Sequence, residues 1–130
     1  MPDARRREGP NLRIETINLD CPDPEALADF YGRLFGWEVT FRDDDLILMQ
    51  DPAGGTGLSF QQRSDYRPPV WPEEPGSQEK MVHLDIRVDD LEAAVAHALT
   101  SGARLAEYQG REDLRVMLDP AGHPFCLFLV

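Results

Sequence analysis

In the run Met81-Val82-His83-Leu84-Asp85-Ile86-Arg87-Val88, polar and apolar residues alternate with the period of a β-strand. His83, Asp85 and Arg87 therefore share one face, and Val82, Leu84, Ile86 and Val88 share the other, which should meet a helix. A histidine and a carboxylate on one strand face can anchor a ligand in an apolar pocket or act as a weak general base. The same pair can instead hydrogen-bond backbone at a seam between sheets, because buried polar groups must be partnered. An earlier stretch places Thr16, Asn18 and Asp20 on a matching face. Cys126 has no basic run beside it in sequence, and a buried free thiol behaves as a small hydrophobe. His97, at an exposed helical phase, and His123, in a turn after Gly122, are expected to be solvated. Gly54-Gly55-Thr56-Gly57 lacks the lysine and helix of a phosphate loop, and no nucleophile elbow occurs.

These residues are carried by two copies of one pattern. Asp51-Pro52-Ala53-Gly54 returns as Asp119-Pro120-Ala121-Gly122, each copy late in a longer matching unit. In the first unit Leu12–Leu19 reads as a strand, and Asp23 caps a helix with Pro24 at its first position. Leu27, Phe30, Tyr31 and Leu34 form its apolar stripe, and Gly36 ends it. Trp37–Phe41, Leu46–Gln50 and Gly57–Gln62 read as strands. In the second unit Met81–Val88 is the strand, Asp89 the cap with Glu92 completing a capping-box pair, and Gly102 the stop. Strands at Arg104–Tyr108, Leu114–Leu118 and Phe125–Val130 follow. The expected fold is α+β: two βαβββ repeats, residues 12–62 and 81–130, after an N-terminal tail over residues 1–11. Residues 63–80 form a linker rich in proline, which should run extended over the surface. Its Trp71 either packs the linker down or walls a ligand cavity.

Composition excludes several classes. A chain of 130 residues with 42% hydrophobic content holds one domain with a real core. A net charge of −11 argues against binding nucleic acid, whose phosphates need a basic surface. No apolar run approaches the roughly 20 residues of a membrane helix. Arg5-Arg6-Arg7 has no apolar stretch behind it, so the start does not read as a secretory signal. Two cysteines, Cys21 and Cys126, fit a reducing cytoplasm better than a disulfide framework.

Two βαβββ units, Phe30-Tyr31 with Leu34-Phe35-Gly36-Trp37, and a terminal Asp119-Pro120-Ala121-Gly122-His123-Pro124-Phe125 resemble the vicinal oxygen chelate superfamily. That superfamily holds glyoxalase I, extradiol dioxygenases and bleomycin-resistance proteins. Val82-His83-Leu84-Asp85 before Val88-Asp89-Asp90, with the Tyr66–Trp71 linker, resembles more narrowly its glyoxalase-like members of the actinobacterial type. The resemblance implies half-open barrel cups, usually in a homodimer. Four inward positions supply His, Glu or Gln to a divalent metal in the metal-dependent members. Here they fall on Thr16, His83, Cys126 and either Ser59 or Gln61. Mg, Mn or Fe need carboxylate and imidazole donors that Thr, Ser and Cys do not supply. His83 and Cys126 are short of the three or four ligands zinc takes. The expectation is therefore no metal cofactor and a small aromatic or amphipathic ligand held by His83, Asp85, Thr16, Asn18, Gln61, Trp71 and Cys126. The alternatives are a divalent-metal lyase, isomerase or dioxygenase, and a metal-free enzyme using His83 and Asp85 for acid–base chemistry.

Overall fold

The computed structural model describes residues 9–129. Two four-stranded sheets each carry one helix. In the first unit, β1 (Thr16–Cys21) and α1 (Pro24–Phe35) precede β2 (Val39–Arg42), β3 (Leu46–Met49) and β4 (Gly57–Gln62). The second repeats this with β5 (Leu84–Arg87), α2 (Leu91–Ser101), β6 (Arg104–Leu105), β7 (Leu114–Leu118) and β8 (Pro124–Phe128). Strand orders β1-β4-β3-β2 and β5-β8-β7-β6 are the same order twice, with the outer pair parallel and the others antiparallel. The repeat is thus real at the level of topology.

Local chemistry sets the helix ends. Asp23 is extended, and its carboxylate accepts the Ala26 N–H at 3.2 Å. Gly36 takes the left-handed conformation (φ 74°), and its N–H donates to the Gly32 carbonyl at 2.8 Å. In the second unit the cap is Asp90, not Asp89, with the Ala93 N–H at 3.0 Å. The Val88 N–H still donates to the Phe128 carbonyl, so the chain leaves the sheet one residue later than expected. Glu92 consequently sits one place too early for a capping box.

Strand ends are corrected by their partners. β1 begins at Thr16, because β4 begins at Gly57 and offers nothing earlier to pair with; Leu12 and Ile14 stay exposed. β5 begins at Leu84, opposite Phe125, because Pro124 has no N–H to extend the ladder. Val82 and His83 therefore precede the strand. The remaining expected strands are found in place, with Arg104–Tyr108 shortened to two residues and Val130 outside the described residues. Most of the tail expected at residues 1–11 also lies outside them.

Both units share one core. Leu27, Phe30 and Tyr31 of α1 meet Phe60 of the first sheet and Phe125 and Met117 of the second. Phe30 and Phe125 lie 5.9 Å apart between ring centroids, and Tyr31 stacks on Phe60 at 5.6 Å. Arg33 clamps the helices by donating twice to the Ser101 carbonyl, at 3.0 and 2.8 Å. Each sheet gives its apolar face to this core, so its polar face turns away from it.

Candidate functional site

On the polar face of the second sheet, Asp85 of β5 lies beside Cys126 of β8 in register. His83, two residues upstream, places Nδ1 at 3.2 Å from Asp85 Oδ1. Donor atoms of His83, Asp85 and Cys126 all lie within 4.8 Å of one another. Burial raises the Cys126 pKa above the ordinary thiol value, and the Asp85 carboxylate beside it adds to the rise. Cys126 is therefore a thiol at neutral pH, not an activated nucleophile.

Trp71 covers the apolar ground next to this cluster. It packs against Ala106, Val116 and Cys126, with Leu114 and Leu118 at the edge. Its indole N–H donates to the Tyr108 carbonyl at 3.3 Å. The Lys80 ammonium sits 5.1 Å from the ring centroid and pairs with Glu73. Lys80 and Tyr108 were not legible as site residues; no spacing in sequence links either to Trp71.

The first sheet carries the counterpart. Thr16 Oγ1 donates to Ser59 Oγ at 3.2 Å, Ser59 Oγ to Asn18 Oδ1 at 3.0 Å, and Asn18 Nδ2 to Asp20 Oδ1 at 2.9 Å. Asn18 pairs with Ser59 as Asp85 pairs with Cys126. Register thus makes Ser59, not Gln61, the repeat-mate of Cys126. Gln61 lies one step along the same face, opposite Asp20, and is exposed. Leu46 and Leu48 of β3 share that face.

The two clusters look outward on separate sheets. A 360 Å³ hollow beside Asp85 is lined by Arg111, Asp113, Leu114 and Phe128. Another of 250 Å³, between β1 and the linker, takes in Asn18, Asp20, Tyr66, Lys80 and His123. A third, of 730 Å³ at the start of α2, touches neither cluster. None of these three is lined by both sets.

His123 departs most from expectation. It is not solvated: Nδ1 is held by the Asp119 carboxylate (2.8 and 3.0 Å) and Nε2 by the Asp20 carbonyl oxygen (2.8 Å). Tyr31 donates to Asp119 Oδ2 at 2.8 Å, and Tyr66 donates to the Ala121 carbonyl at 3.0 Å. The seam between units is built from Asp119 and His123, so His83 and Asp85 are left facing outward. His97 is exposed as expected, and its Nε2 reaches the Leu34 carbonyl at the end of α1.

A divalent metal can be tested on this donor set. Thr16 and Ser59 spend their hydroxyls on each other and on Asn18, and a protonated thiol stands at Cys126. That does not fit Mg, Mn or Fe. His83, Asp85 and Cys126 would suit only a soft ion able to displace the thiol proton.

Cys21 and Cys126 are both free thiols. Cys21 is fully buried, donates to the Gln61 carbonyl, and has its pKa pushed up to about 12 by burial and then by Asp119. The unfolded chain releases this proton first, near pH 9. Stability is thus complete below pH 9 and falls as pH rises toward 12. Tyr31 and Tyr66, raised by burial and Asp119, push the same way. Urea midpoints should be flat from pH 7 to 8.5 and drop beyond 9.5; a midpoint rising there would refute the assignment. An aromatic disulfide reagent at pH 8 should find Cys21 only after unfolding.

Among the described residues no helix is long and apolar enough to cross a membrane. A search of the curated proteins gave no match. Several solved structures share the fold. A glyoxalase/bleomycin resistance protein/dioxygenase family enzyme from Burkholderia phytofirmans PsJN is similar at TM-score 0.66 and 20% identity, covering 89% of this chain and 97% of that one. A glyoxalase-related enzyme from Fulvimarina pelagi is similar at TM-score 0.66 and 20% identity, covering 91% and 88%. TnmS3, an antibiotic binding protein from Streptomyces sp. CB03234, is similar at TM-score 0.62 and 16% identity, covering 94% and 98%. The glyoxalase-like domain matches residues 16–128, from the first residue of β1 to the last of β8, and the chain belongs to that family.

Proposed function

We propose that this chain is a metal-independent small-molecule-binding protein of the glyoxalase/bleomycin-resistance type, sequestering an aromatic or amphipathic compound. The observation that carries the reading is Cys126. It stands as a protonated thiol between Asp85 and an apolar patch, at a position where the resemblance to the metal-dependent members implies a carboxylate. A ligand there meets one carboxylate, one imidazole and an apolar floor, the few polar groups in an apolar setting that small-molecule sites use. The antibiotic-binding neighbour supports the same direction. The protein works as a cytoplasmic homodimer. A second copy covers the exposed Phe41 and brings its Thr16, Asn18 and Gln61 face toward the His83 and Asp85 face, which one chain alone leaves apart.

The test is a thermal-shift screen of aromatic amphiphiles with elemental analysis and light scattering on the same preparation. A ligand at 100 times its Kd adds about 2.7 kcal/mol of stability, a Tm rise of roughly 5–10 °C for a domain of this size. We expect such a rise, its loss in His83→Ala, a dimer mass, and metal well below one per chain. One zinc per chain, lost in His83→Ala, would replace this reading with the metal-dependent one. A monomer mass at micromolar concentration would remove the composite site.

A further inference from the structure

The linker meets the second sheet's polar face with its tryptophan. Trp71 is half-buried, and what it covers is the apolar ground beside His83 and Asp85: Ala106, Val116 and Cys126. Three contacts define its seat. The ring lies on aliphatic and thiol groups, its N–H points at the Tyr108 carbonyl (3.3 Å), and the Lys80 ammonium covers it (5.1 Å). The Tyr108 ring stands 6.3 Å away at 56°.

The surroundings make this seat one that can open. Tyr108 is 54% exposed, and β6 stops at Leu105, so the carbonyl that receives the indole belongs to a segment outside the sheet. Pro72, Glu73, Glu74, Pro75 and Gly76 are all exposed, and the loop's two arms are tied at its base by the Val70 N–H on the Gln78 carbonyl (2.9 Å) and by the exposed Glu73 on the half-buried Lys80. Of the floor, in contrast, Val116 and Cys126 are fixed by the ladder between β7 and β8, and Ala106, just past β6, donates its N–H to the Val116 carbonyl at 3.0 Å.

We infer that Trp71 is a displaceable plug, and that its seat is the subsite for a flat aromatic ring bearing an N–H or O–H donor. The inference rests on the binding reading above and names the ligand class of that site. A ligand ring that replaces the indole recovers its apolar contact, its bond to the Tyr108 carbonyl and the Lys80 ammonium over its face. A saturated ring forfeits the cation–π contact, and a ring without a donor leaves the carbonyl unanswered. The freed Trp71 then turns out into solvent with its exposed loop.

Indole itself is the probe. The protein is labelled with 5-fluorotryptophan, and Trp37→Phe assigns the two fluorine signals. Saturating unlabelled indole should move the Trp71 signal toward that of a solvent-exposed fluorotryptophan and leave the Trp37 signal in place. Trp71→Ala, whose seat is already vacant, should bind indole at least tenfold more tightly than the parent. N-methylindole should bind Trp71→Ala about tenfold more weakly than indole. A Trp71 signal that stays fixed at every soluble indole concentration, or equal affinity of indole and N-methylindole, overturns the inference. If the thermal-shift screen finds ligands while Trp71 stays fixed, the plug is wrong and the binding function stands. If indole moves Trp71 but the screen finds no ligand and metal is stoichiometric, the plug stands and that function falls.

Discussion

Asp119→Ala should destabilise the protein by about 3–5 kcal/mol, the scale of removing one partner from a buried charged network. The Asp119 side chain is wholly buried and its two oxygens answer four donors. The N–H groups of Ala121 and His123 reach Oδ1 at 2.9 Å, Tyr31 reaches Oδ2 at 2.8 Å, and His123 Nδ1 lies against both oxygens. Truncation leaves the buried Tyr31 hydroxyl and the His123 ring without their partner, and each such group costs about 1–3 kcal/mol. A domain holds only about 5–15 kcal/mol in all. The first repeat supplies the control. Asp51 makes the same turn, its Oδ1 taking the Ala53 N–H at 2.8 Å, but among the described residues its side chain makes no hydrogen bond across the seam. Asp51→Ala should cost about 1 kcal/mol or less, the worth of one exposed hydrogen bond. Urea denaturation of the two variants decides it: equal losses would mean that the turn matters and the seam network does not.

The pair also shows what a sequence can carry. Asp23, Pro24 and Gly36 were legible because a helix cap is made of neighbours in the chain. The doubled Asp-Pro-Ala-Gly turn was legible for the same reason. That one copy lies in the core while the other is surface was not, because the donors Tyr31 and His123 come from different units. His123, next to Gly122 in a turn, has every local mark of a solvated residue. His83 and Asp85 were placed correctly on one face by strand alternation, although the strand starts only at Leu84. Their register against Cys126, and that of Asn18 against Ser59, depended on pairings sequence does not contain. Trp71 was recognisable as unusual in a proline-rich linker; its floor and its Lys80 cover come from distant segments.

The two clusters are one arrangement with different chemistry in it. Thr16, Asn18 and Ser59 form a neutral hydroxyl–amide chain, and His83, Asp85 and Cys126 occupy the same places as ionisable groups. Duplication keeps the ladder, so each half-site is positioned by the parallel pairing of its first and last strand. Whatever displaces that last strand should damage its half-site and leave the other in place.

Gly57→Ala provides that displacement. Gly57 opens β4, and a Cβ there would lie 2.2 Å from the Met49 carbonyl oxygen and 3.0 Å from the Gln50 Cα. Both are backbone atoms of the adjoining chain and cannot swing aside. β4 must move away from β3, although Leu58 and Phe60 are locked in the core and Gly57 N–H donates to the Glu15 carbonyl. We expect a loss of about 3 kcal/mol, the upper range for forcing extra volume into a packed site. Gly54→Ala tests the cause. Gly54 has φ +92°, with open space around it, so alanine there meets conformational strain alone, about 1–2 kcal/mol. Gly57→Ala should be the more costly of the two. It should also speed amide exchange at Ser59, whose strand carries the first half-site, while exchange at Asp85 and Cys126 follows global stability only. A Gly57→Ala variant within 1 kcal/mol of the parent, or one that loosens both half-sites alike, would show that β4 is not rigidly seated and that the halves are not positioned independently.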